Sequence, residues 1–521
     1  FNMVNMKRSK RVLRRHIKRK SVVPCQNGWT TANPWLEQVV NYSTSCRNWF
    51  ALNTCISDVN NIKKMRTSLN TRGIYSSVPT VTIRREPFHI ASIENFISDE
   101  SALQYLYKDM QNLKWNCKKM DLYELSQSPD LSTLSSKYLQ YFFIFLKTDV
   151  LKWMTDVTGL HFSKVSATCS MYNSTNYLLP HDDLLEDRLI AFIFYICPWR
   201  LPSSEFHKKV IDSGWSSKMG GNLQLFAVNK YKEPVYPAVD KISPKNNQFI
   251  FFKVCPESYH AVEEIYTDDY SRLSINGWFH GPKFKISEDN RIEKTAIPVT
   301  YSYEIMNENF VLDNCVKNSY LNEDSKNAIN SQMETNSEIA LAEFFNKEFY
   351  DEMLGLITSV MKWKRMGPVN KRNYETCFVK KLYDLFYSDA FISLLKSYTD
   401  LDLPIGNNNL KDNSIKLEIQ RWTSGCYTVI SDKSEYDCDE LDVIMYFNST
   451  ENSQIGTITY LDPIDTEDNV LLTIYPKNNN LNIVYRTSGT TKFTKYVNHK
   501  MVEPSKYFYI VSCRYKEAKN V

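Results

Sequence analysis

A chain of 521 residues exceeds what one hydrophobic core organises, so two domains with connecting material are expected. With 43% hydrophobic residues, 13% aromatic residues and only 14 glycines it is neither fibrous nor broadly disordered, and its 33 tyrosines and 27 phenylalanines favour sheet-rich packing. The net charge of +4 hides an asymmetry: nine basic residues between Lys7 and Lys20 leave the rest of the chain at −5, which argues against direct nucleic-acid binding by the globular body.

Those basic residues are Lys7, Arg8, Lys10, Arg11, Arg14, Arg15, Lys18, Arg19 and Lys20, with no acid among them. They mark residues 1–24 as a disordered basic tail that is solvated, contacts polyanions or serves as a nuclear address. The chain begins with Phe1, which leaves Met3 or Met6 as candidate initiators. Residues 25–84 are polar, rich in Asn and Ser, and too weakly patterned to be given a fold. From Phe88 the pattern sharpens. Ser92-Ile93-Glu94-Asn95 leads into Leu103, Leu106, Met110 and Leu113 at helical spacing, and a second helix is expected over 136–158, where Leu139, Phe142, Phe143, Leu146, Val150, Leu151 and Met154 share one broad face.

A sheet begins near Val165, with strands expected over 189–196, 222–227, 247–254 and 273–279. Short strands joined by turn-rich connections, without βαβ alternation, indicate a sandwich or jelly roll flanked by helices. Residues 284–337 read as a polar linker, and a helix over 338–363 opens a second unit. The halves echo each other: Tyr172, His181, the 189–196 run and Pro244-Lys245-Asn246-Asn247 recur as Trp422, Ser431, the 441–447 run and Pro476-Lys477-Asn478-Asn479. Twelve cysteines scattered from Cys25 to Cys513, with no CxxC pair, suit reduced thiols. No segment is long and apolar enough to be a signal or a membrane span, so a soluble protein of the cytoplasm and nucleus is expected.

The chemistry concentrates in His181-Asp182-Asp183, placed just before the 189–196 strand. Residues i and i+2 of an extended segment share a face, so His181 and Asp183 can bind one metal. A third ligand would complete a 2-His-1-carboxylate triad, the arrangement of non-haem iron(II) oxygenases. His260, after the 247–254 strand, is the first candidate; His280 competes but lies beyond Arg272 in Gly277-Trp278-Phe279-His280-Gly281-Pro282. His89, His161 and His207 have no partner pattern. Arg272 heads the last strand, where a buried guanidinium needs a bidentate carboxylate, and the distal carboxylate of 2-oxoglutarate is such a group. Tyr172 and Tyr195 are available as hydroxyl donors, the plainer alternative for each being core packing.

The stretch His181-Asp182-Asp183-Leu184-Leu185-Glu186, the following Ile190-Ala191-Phe192, Gly220-Gly221 and the Arg272-to-Pro282 segment resemble the OGFOD1/Tpa1 family of prolyl hydroxylases. The resemblance covers roughly residues 85–521. It implies a β-rich α+β fold of two double-stranded β-helix (jelly-roll) domains with flanking helices: 85–283 catalytic and, after the linker, 338–521 degenerate and non-catalytic. It also implies iron(II), 2-oxoglutarate and O2, with ascorbate supporting activity, and C3 hydroxylation of a prolyl residue in a small-ribosomal-subunit protein near the decoding centre, which would affect translation. The family's iron ligands fall on His181, Asp183 and His260, its 2-oxoglutarate arginine on Arg272, and its pocket tyrosines on Tyr172 and Tyr195. Rival readings keep the same centre but act on another side chain or a nucleic-acid base, or make the chain a scaffold. In the second half, alignment sets Ser431 and Lys433 against His181 and Asp183, Phe493 against His260 and Lys506 against Arg272, so no metal is expected there.

Overall fold

The computed structural model describes residues 49–70, 78–99, 101–185, 187–197, 199–200, 215–282, 311–403, 405, 414–430, 437–450, 454–462, 469–501 and 506–517. The basic tail, Lys433, Ser431 and His207 lie outside the described residues. The described chain forms two compact bodies, one within 28–295 with residues 368–370, the other from 296 to the end without those three.

The first body has strands β1 (Val81–Arg84), β2 (Ile90–Ile93), β3 (Asn116–Lys119), β4 (Tyr123–Asp130), β5 (Lys164–Tyr172), β6 (Tyr177–His181), β7 (Arg188–Tyr195), β8 (Trp199–Arg200), β9 (Leu223–Leu225), β10 (Asp240–Ile242), β11 (Gln248–Lys253), β12 (His260–Val262) and β13 (Tyr270–His280). Their order is β1-β2-β11-β7-β13-β5-β4-β6-β12-β9-β10, antiparallel at each pairing. The curled sheet is a double-stranded β-helix. Strand β7 is buried on both faces, which is why its apolar run does not alternate. On one face it meets the long helix formed by Lys137–Phe145, a π turn over Leu146–Val150 and Leu151–Thr158, with Phe142 stacked on Phe194. Gly159, at φ 74°, ends that helix because the left-handed cap costs glycine no Cβ clash. The other face of β7 looks into the barrel, where Tyr195, Leu223, Leu225 and Phe252 pack.

Three sequence expectations change here. Phe50, Ile56 and Met65 enter the main core and β1 forms the sheet edge, so the described residues of 25–84, 49–70 and 78–84, are part of the first body. The segment holding Ser92 and Ile93 is strand β2, and the following helix starts at Ser101. Within 284–337, Glu323–Asn336 is helical and buries Ile329 and Met333, while Glu338–Leu341 is a strand preceding the helix Lys347–Thr358. Sparse apolar residues at helical spacing resemble a polar linker when only their composition is read.

The second body repeats the path. Its strands are β14 (Glu338–Leu341), β15 (Lys364–Met366), β16 (Arg372–Cys377), β17 (Ile415–Trp422), β18 (Tyr427–Thr428), β19 (Glu440–Phe447), β20 (Ile458–Leu461), β21 (Val470–Ile474), β22 (Leu481–Arg486), β23 (Thr491–Thr494) and β24 (Phe508–Lys516). The order β14-β22-β19-β24-β17-β16-β15 reproduces β2-β11-β7-β13-β5-β4-β3, and β21-β20-β23 reproduces β10-β9-β12. Both bodies turn before β11 or β22 on an asparagine with positive φ: Asn247 at 57°, Asn479 at 55°. Each side chain grips one earlier residue twice, Asn247 at Ile97 and Asn479 at Phe345. The two sheets of this body together also form a double-stranded β-helix.

Candidate metal centre

The antiparallel pairing of β6 with β12 sets His181 directly opposite His260, and their rings lie 4.2 Å apart. Asp183 arrives by another route than the extended one expected. Its φ is 60°, so just past the end of β6 the chain turns through the left-handed region and swings the carboxylate back. His181 Nε2 stands 3.6 Å from Asp183 Oδ1, and His260 Nε2 stands 3.5 Å from Oδ2. These separations are long for hydrogen bonds and suit donors that share one ion; one ligand atom from each residue falls within 4.8 Å of the other two.

Each imidazole is oriented from behind. His181 Nδ1 donates to Leu179 O at 2.9 Å and His260 Nδ1 to Ser258 O at 2.8 Å, which leaves both Nε2 lone pairs facing Asp183. Ser258 is itself held, its hydroxyl donating towards Asp182 O (3.0 Å) and Cys255 O (2.8 Å). Burial and the neighbouring His181 push the His260 pKa down to about 4, so the ring is neutral at neutral pH. Burial pushes the Asp183 carboxyl up, but the two histidines and Arg188 outweigh it and hold the group below its ordinary range. A carboxylate and two imidazole nitrogens form a donor set fitted to a divalent cation such as iron(II).

Arg272, 1% exposed, enters the barrel from β13. Its Nε donates to Gly221 O at 2.9 Å and its Nη2 to the Tyr195 hydroxyl at 3.0 Å, while Tyr172 and Tyr195 flank the guanidinium with ring centroids 5.0 and 4.8 Å away. Among the described residues no carboxylate comes within ion-pairing distance. A buried cation without an anion is costly, so the pocket calls for a carboxylate ligand. Burial pushes the Tyr172 phenol up to about 12 and raises Tyr195 as well, so both hydroxyls stay protonated and able to donate.

The structure brings together His181, Asp183 and His260, and separately Arg272, Tyr172 and Tyr195. It sets His280 apart, at the far end of β13, bound to Asp187 (3.0 Å) and Ser166 (2.7 Å). Sequence reasoning missed Arg188 and its pairing with Trp278. Arg188 lies over the Trp278 ring at 3.5 Å and reaches Asp183 Oδ1 at 3.4 Å, a pairing of β7 and β13 that no local spacing signals. The Gly220-Gly221 doublet did carry a signal: Gly221 has φ 69°, and a Cβ there would meet Arg272 Cδ at 3.0 Å and Ile265 Cδ1 at 2.5 Å. Only glycine lets the backbone approach and offer its carbonyl to the guanidinium.

Register corrects the expected counterparts in the second body. Tyr460 pairs with Lys492 as Leu225 pairs with His260, so Lys492, not Phe493, stands in the place of His260. A one-residue slip along a strand exchanges its faces. Trp422 pairs with Phe508 as Tyr172 pairs with Arg272, so Phe508 replaces Lys506 as the counterpart of the arginine. Tyr446 matches Tyr195, and Gly456 matches Gly221 with φ 68°.

Two family models match the chain, and named relatives are similar to it over most of its length. Residues 167–280 match the model of the 2OG-Fe(II) oxygenase superfamily, and residues 307–521 match that of the oxoglutarate and iron-dependent oxygenase degradation C-terminal domain. The chain is 36% identical over 464 residues to the prolyl 3-hydroxylase sudestada1 of Drosophila melanogaster, covering 83% of this chain and 84% of that protein. It is 28% identical over 500 residues to the prolyl 3-hydroxylase OGFOD1 of Mus musculus, covering 82% and 88%. Among solved structures, a Pseudomonas putida prolyl-4-hydroxylase aligns at 13% identity and a TM-score of 0.30, covering 42% of this chain and 98% of that one.

Proposed function

The chain belongs to the OGFOD1 family of 2-oxoglutarate- and iron(II)-dependent dioxygenases, and from that premise we propose that it hydroxylates a prolyl residue at C3, in a protein of the small ribosomal subunit near the decoding centre. On this reading iron(II) is held by His181, Asp183 and His260, and 2-oxoglutarate is anchored through its distal carboxylate by Arg272 with Tyr172 and Tyr195. The observation that carries it is the pairing of two incomplete sites in one barrel: three ligand atoms within 4.8 Å and a buried guanidinium with no anion among the described residues.

Bound iron(II), with 2-oxoglutarate as electron donor, supplies oxygen activation and removal of hydrogen from the prolyl ring. The chain's residues do the rest. Leu179 O and Ser258 O fix the imidazole tautomers, so that Nε2 is presented without a proton. The protonated phenol of Tyr195 and the fork of Arg272 give the co-substrate one orientation, which makes binding directional. Leu223, Leu225 and Phe252 keep that end of the barrel apolar and exclude water. Support of activity by ascorbate and residence in nucleus and cytoplasm belong to this reading; among the described residues no helix is long and apolar enough to cross a membrane.

The test is incubation of the full chain with iron(II), 2-oxoglutarate and small-subunit ribosomal proteins, followed by mass spectrometry and chromatography against 3- and 4-hydroxyproline standards. One oxygen on a single prolyl residue, eluting as 3-hydroxyproline and absent with His181→Ala, is expected. Succinate formation without prolyl oxidation in any ribosomal protein overturns the substrate while leaving the dioxygenase intact.

A further inference from the structure

The two bodies differ at one sheet edge. In the first, β1 lies antiparallel against β2, with Val81 opposite Ile93 and Arg84 opposite Ile90. Arg84 reaches across the barrel mouth to Asp240 of β10 at 2.6 Å. Gln248 below it is satisfied by Ser92 Oγ (2.9 Å) and by the Lys245 amide (3.1 Å), and Lys245 Nζ pairs with Glu94 at 2.5 Å.

In the second body, β14 corresponds to β2, but among the described residues no strand corresponds to β1, and β14 is the sheet's edge. Beside it lies a groove of about 520 Å³, lined by Glu338 and Ala340 of β14, Leu472 and Ile474 of β21, and Lys477 and Asn480 of the turn before β22. Two groups at this groove, Asn480 and Lys477, lack the partners their counterparts have. Register sets Ala340 in the place of Ser92 and Asn480 in that of Gln248. Asn480 is only 8% exposed, and its Oδ1 has no hydrogen-bond partner among the described residues. Neither Lys477, the counterpart of Lys245, nor Glu338, the counterpart of Ile90, has an ion-pair partner among the described residues. Val470 on the facing edge strand β21 is 60% exposed.

We propose that this edge is a docking site for an extended segment of a partner protein, which adds to the second body the strand that β1 supplies in the first. An unpaired edge offers backbone donors and acceptors in register for one more antiparallel strand. The first body defines the guest's chemistry: apolar side chains on the face of Val81 and Ile83, and a basic side chain in the place of Arg84. That basic group sits opposite Glu338, whose free carboxylate gives the complementary charge. Lys477, which acts on Glu343 only at longer range than an ion pair, can take an acidic group at the other end. A backbone strand with alternating apolar residues and one base is thus preferred over a small molecule.

The probe is a fluorescein-labelled peptide with the sequence of residues 79–86, Pro-Thr-Val-Thr-Ile-Arg-Arg-Glu, titrated into the full chain. Hydrogen exchange at residues 338–341 should slow roughly tenfold with peptide at about ten times its Kd. Glu338→Lys should weaken binding roughly fivefold, and changing the peptide arginine at position 84 to glutamate should restore it. Glu338→Lys should leave succinate formation unchanged. A peptide with Thr82→Pro should not protect the edge. Four results overturn the proposal: no protection of 338–341; protection at residues 90–93 instead, which means exchange with β1; equal binding by the proline peptide; or crosslinks from Lys477 only to this chain's own polypeptide, which means the edge is already filled.

Discussion

At the centre of the first barrel three ligand atoms face one another around a space for a cation; at the same register position in the second, the Lys492 ammonium supplies the positive charge itself. Its Nζ lies 2.7 Å from Asp442 Oδ2, which also accepts from the Tyr460 hydroxyl at 2.9 Å. Glu440 pairs with Arg486 and stands 3.6 Å from Arg514. In the place of Arg272, which has no carboxylate partner among the described residues, Phe508 stacks on Trp422 with centroids 6.2 Å apart, and the Tyr446 hydroxyl bonds to the Gly456 carbonyl directly at 2.9 Å. Both bodies keep the strand order, the left-handed glycine and the asparagine turn, so chemistry here depends on a few inward side chains and not on the chain path. One barrel leaves its charges for ligands to complete; the other completes them internally.

The sharpest way to break this contrast is to write one barrel into the other. His260→Lys, which brings the second body's residue into the first, should abolish stoichiometric iron(II) binding and lower turnover by about a thousandfold or more, because an ammonium repels the cation and offers no lone pair. Titration calorimetry with iron(II) under anaerobic conditions reads this directly; retention of near-wild-type iron affinity would remove His260 from the ligand set. The reverse change, Lys492→His, should bind no iron, since no second imidazole faces that position among the described residues.

Arg272→Lys comes next. It keeps a charge but loses the fork and the bond to Gly221, and should raise the 2-oxoglutarate KM by about tenfold to a hundredfold with iron affinity unchanged. An iron defect with an unchanged KM would mean that Arg272 supports the metal ligands and not the co-substrate.

In the second body the expected loss is one of stability. Lys492→Met removes the nearest cation from Asp442, 0% exposed, leaving Arg486 at 3.9 Å, and should cost up to roughly 3–5 kcal/mol in denaturant unfolding, whereas Lys492→Met with Asp442→Leu should recover most of it. Burial pushes the Asp442 carboxyl up, but Lys492 and Arg486 reverse this and leave it below its ordinary range. A depressed folded pKa contributes stability that is present above about pH 4 and is lost as pH falls through the folded value. The wild-type body should therefore weaken in acid more than the double variant. Equal acid sensitivity of the two would show that the pair contributes nothing.

How much of this was legible beforehand follows from what local spacing encodes. His181, Asp183, His260 and Arg272 stood out because each sits beside a strand with a clear apolar run, and the halves could be matched at Tyr172 and Trp422. The left-handed turn at Asp183 left no trace, since aspartate tolerates that conformation without a glycine to announce it. Arg188 against Trp278 depends on cross-strand pairing between β7 and β13, invisible to any window of sequence. Phe508 escaped because sixteen positions separate Lys492 from it, against twelve from His260 to Arg272, and a longer loop hides the match. The strand at 338–341 and the helix at 323–336 were missed for a related reason: one is too short and the other too sparsely apolar for periodicity to speak.

The smallest expected effect tests what the bodies share. Asn247 and Asn479 hold the same left-handed turn, at φ 57° and 55°, and each exchanges two hydrogen bonds with one earlier residue at 2.9 to 3.0 Å. Alanine at either position loses both bonds and strains the backbone, because a Cβ without a polar side chain is disfavoured in that region. Each change should cost about 2 kcal/mol, from one buried amide pair and one unfavourable φ. Because the geometry is the same, the two losses should agree within about 0.5 kcal/mol, each confined to the unfolding of its own body as read by hydrogen exchange at β11 or β22. Asn→Gly should return part of the loss at both sites, since glycine restores the turn but not the bonds. A large loss at one asparagine and none at the other would mean that the shared path is held by different forces in the two halves, and the likeness would then lie in shape alone.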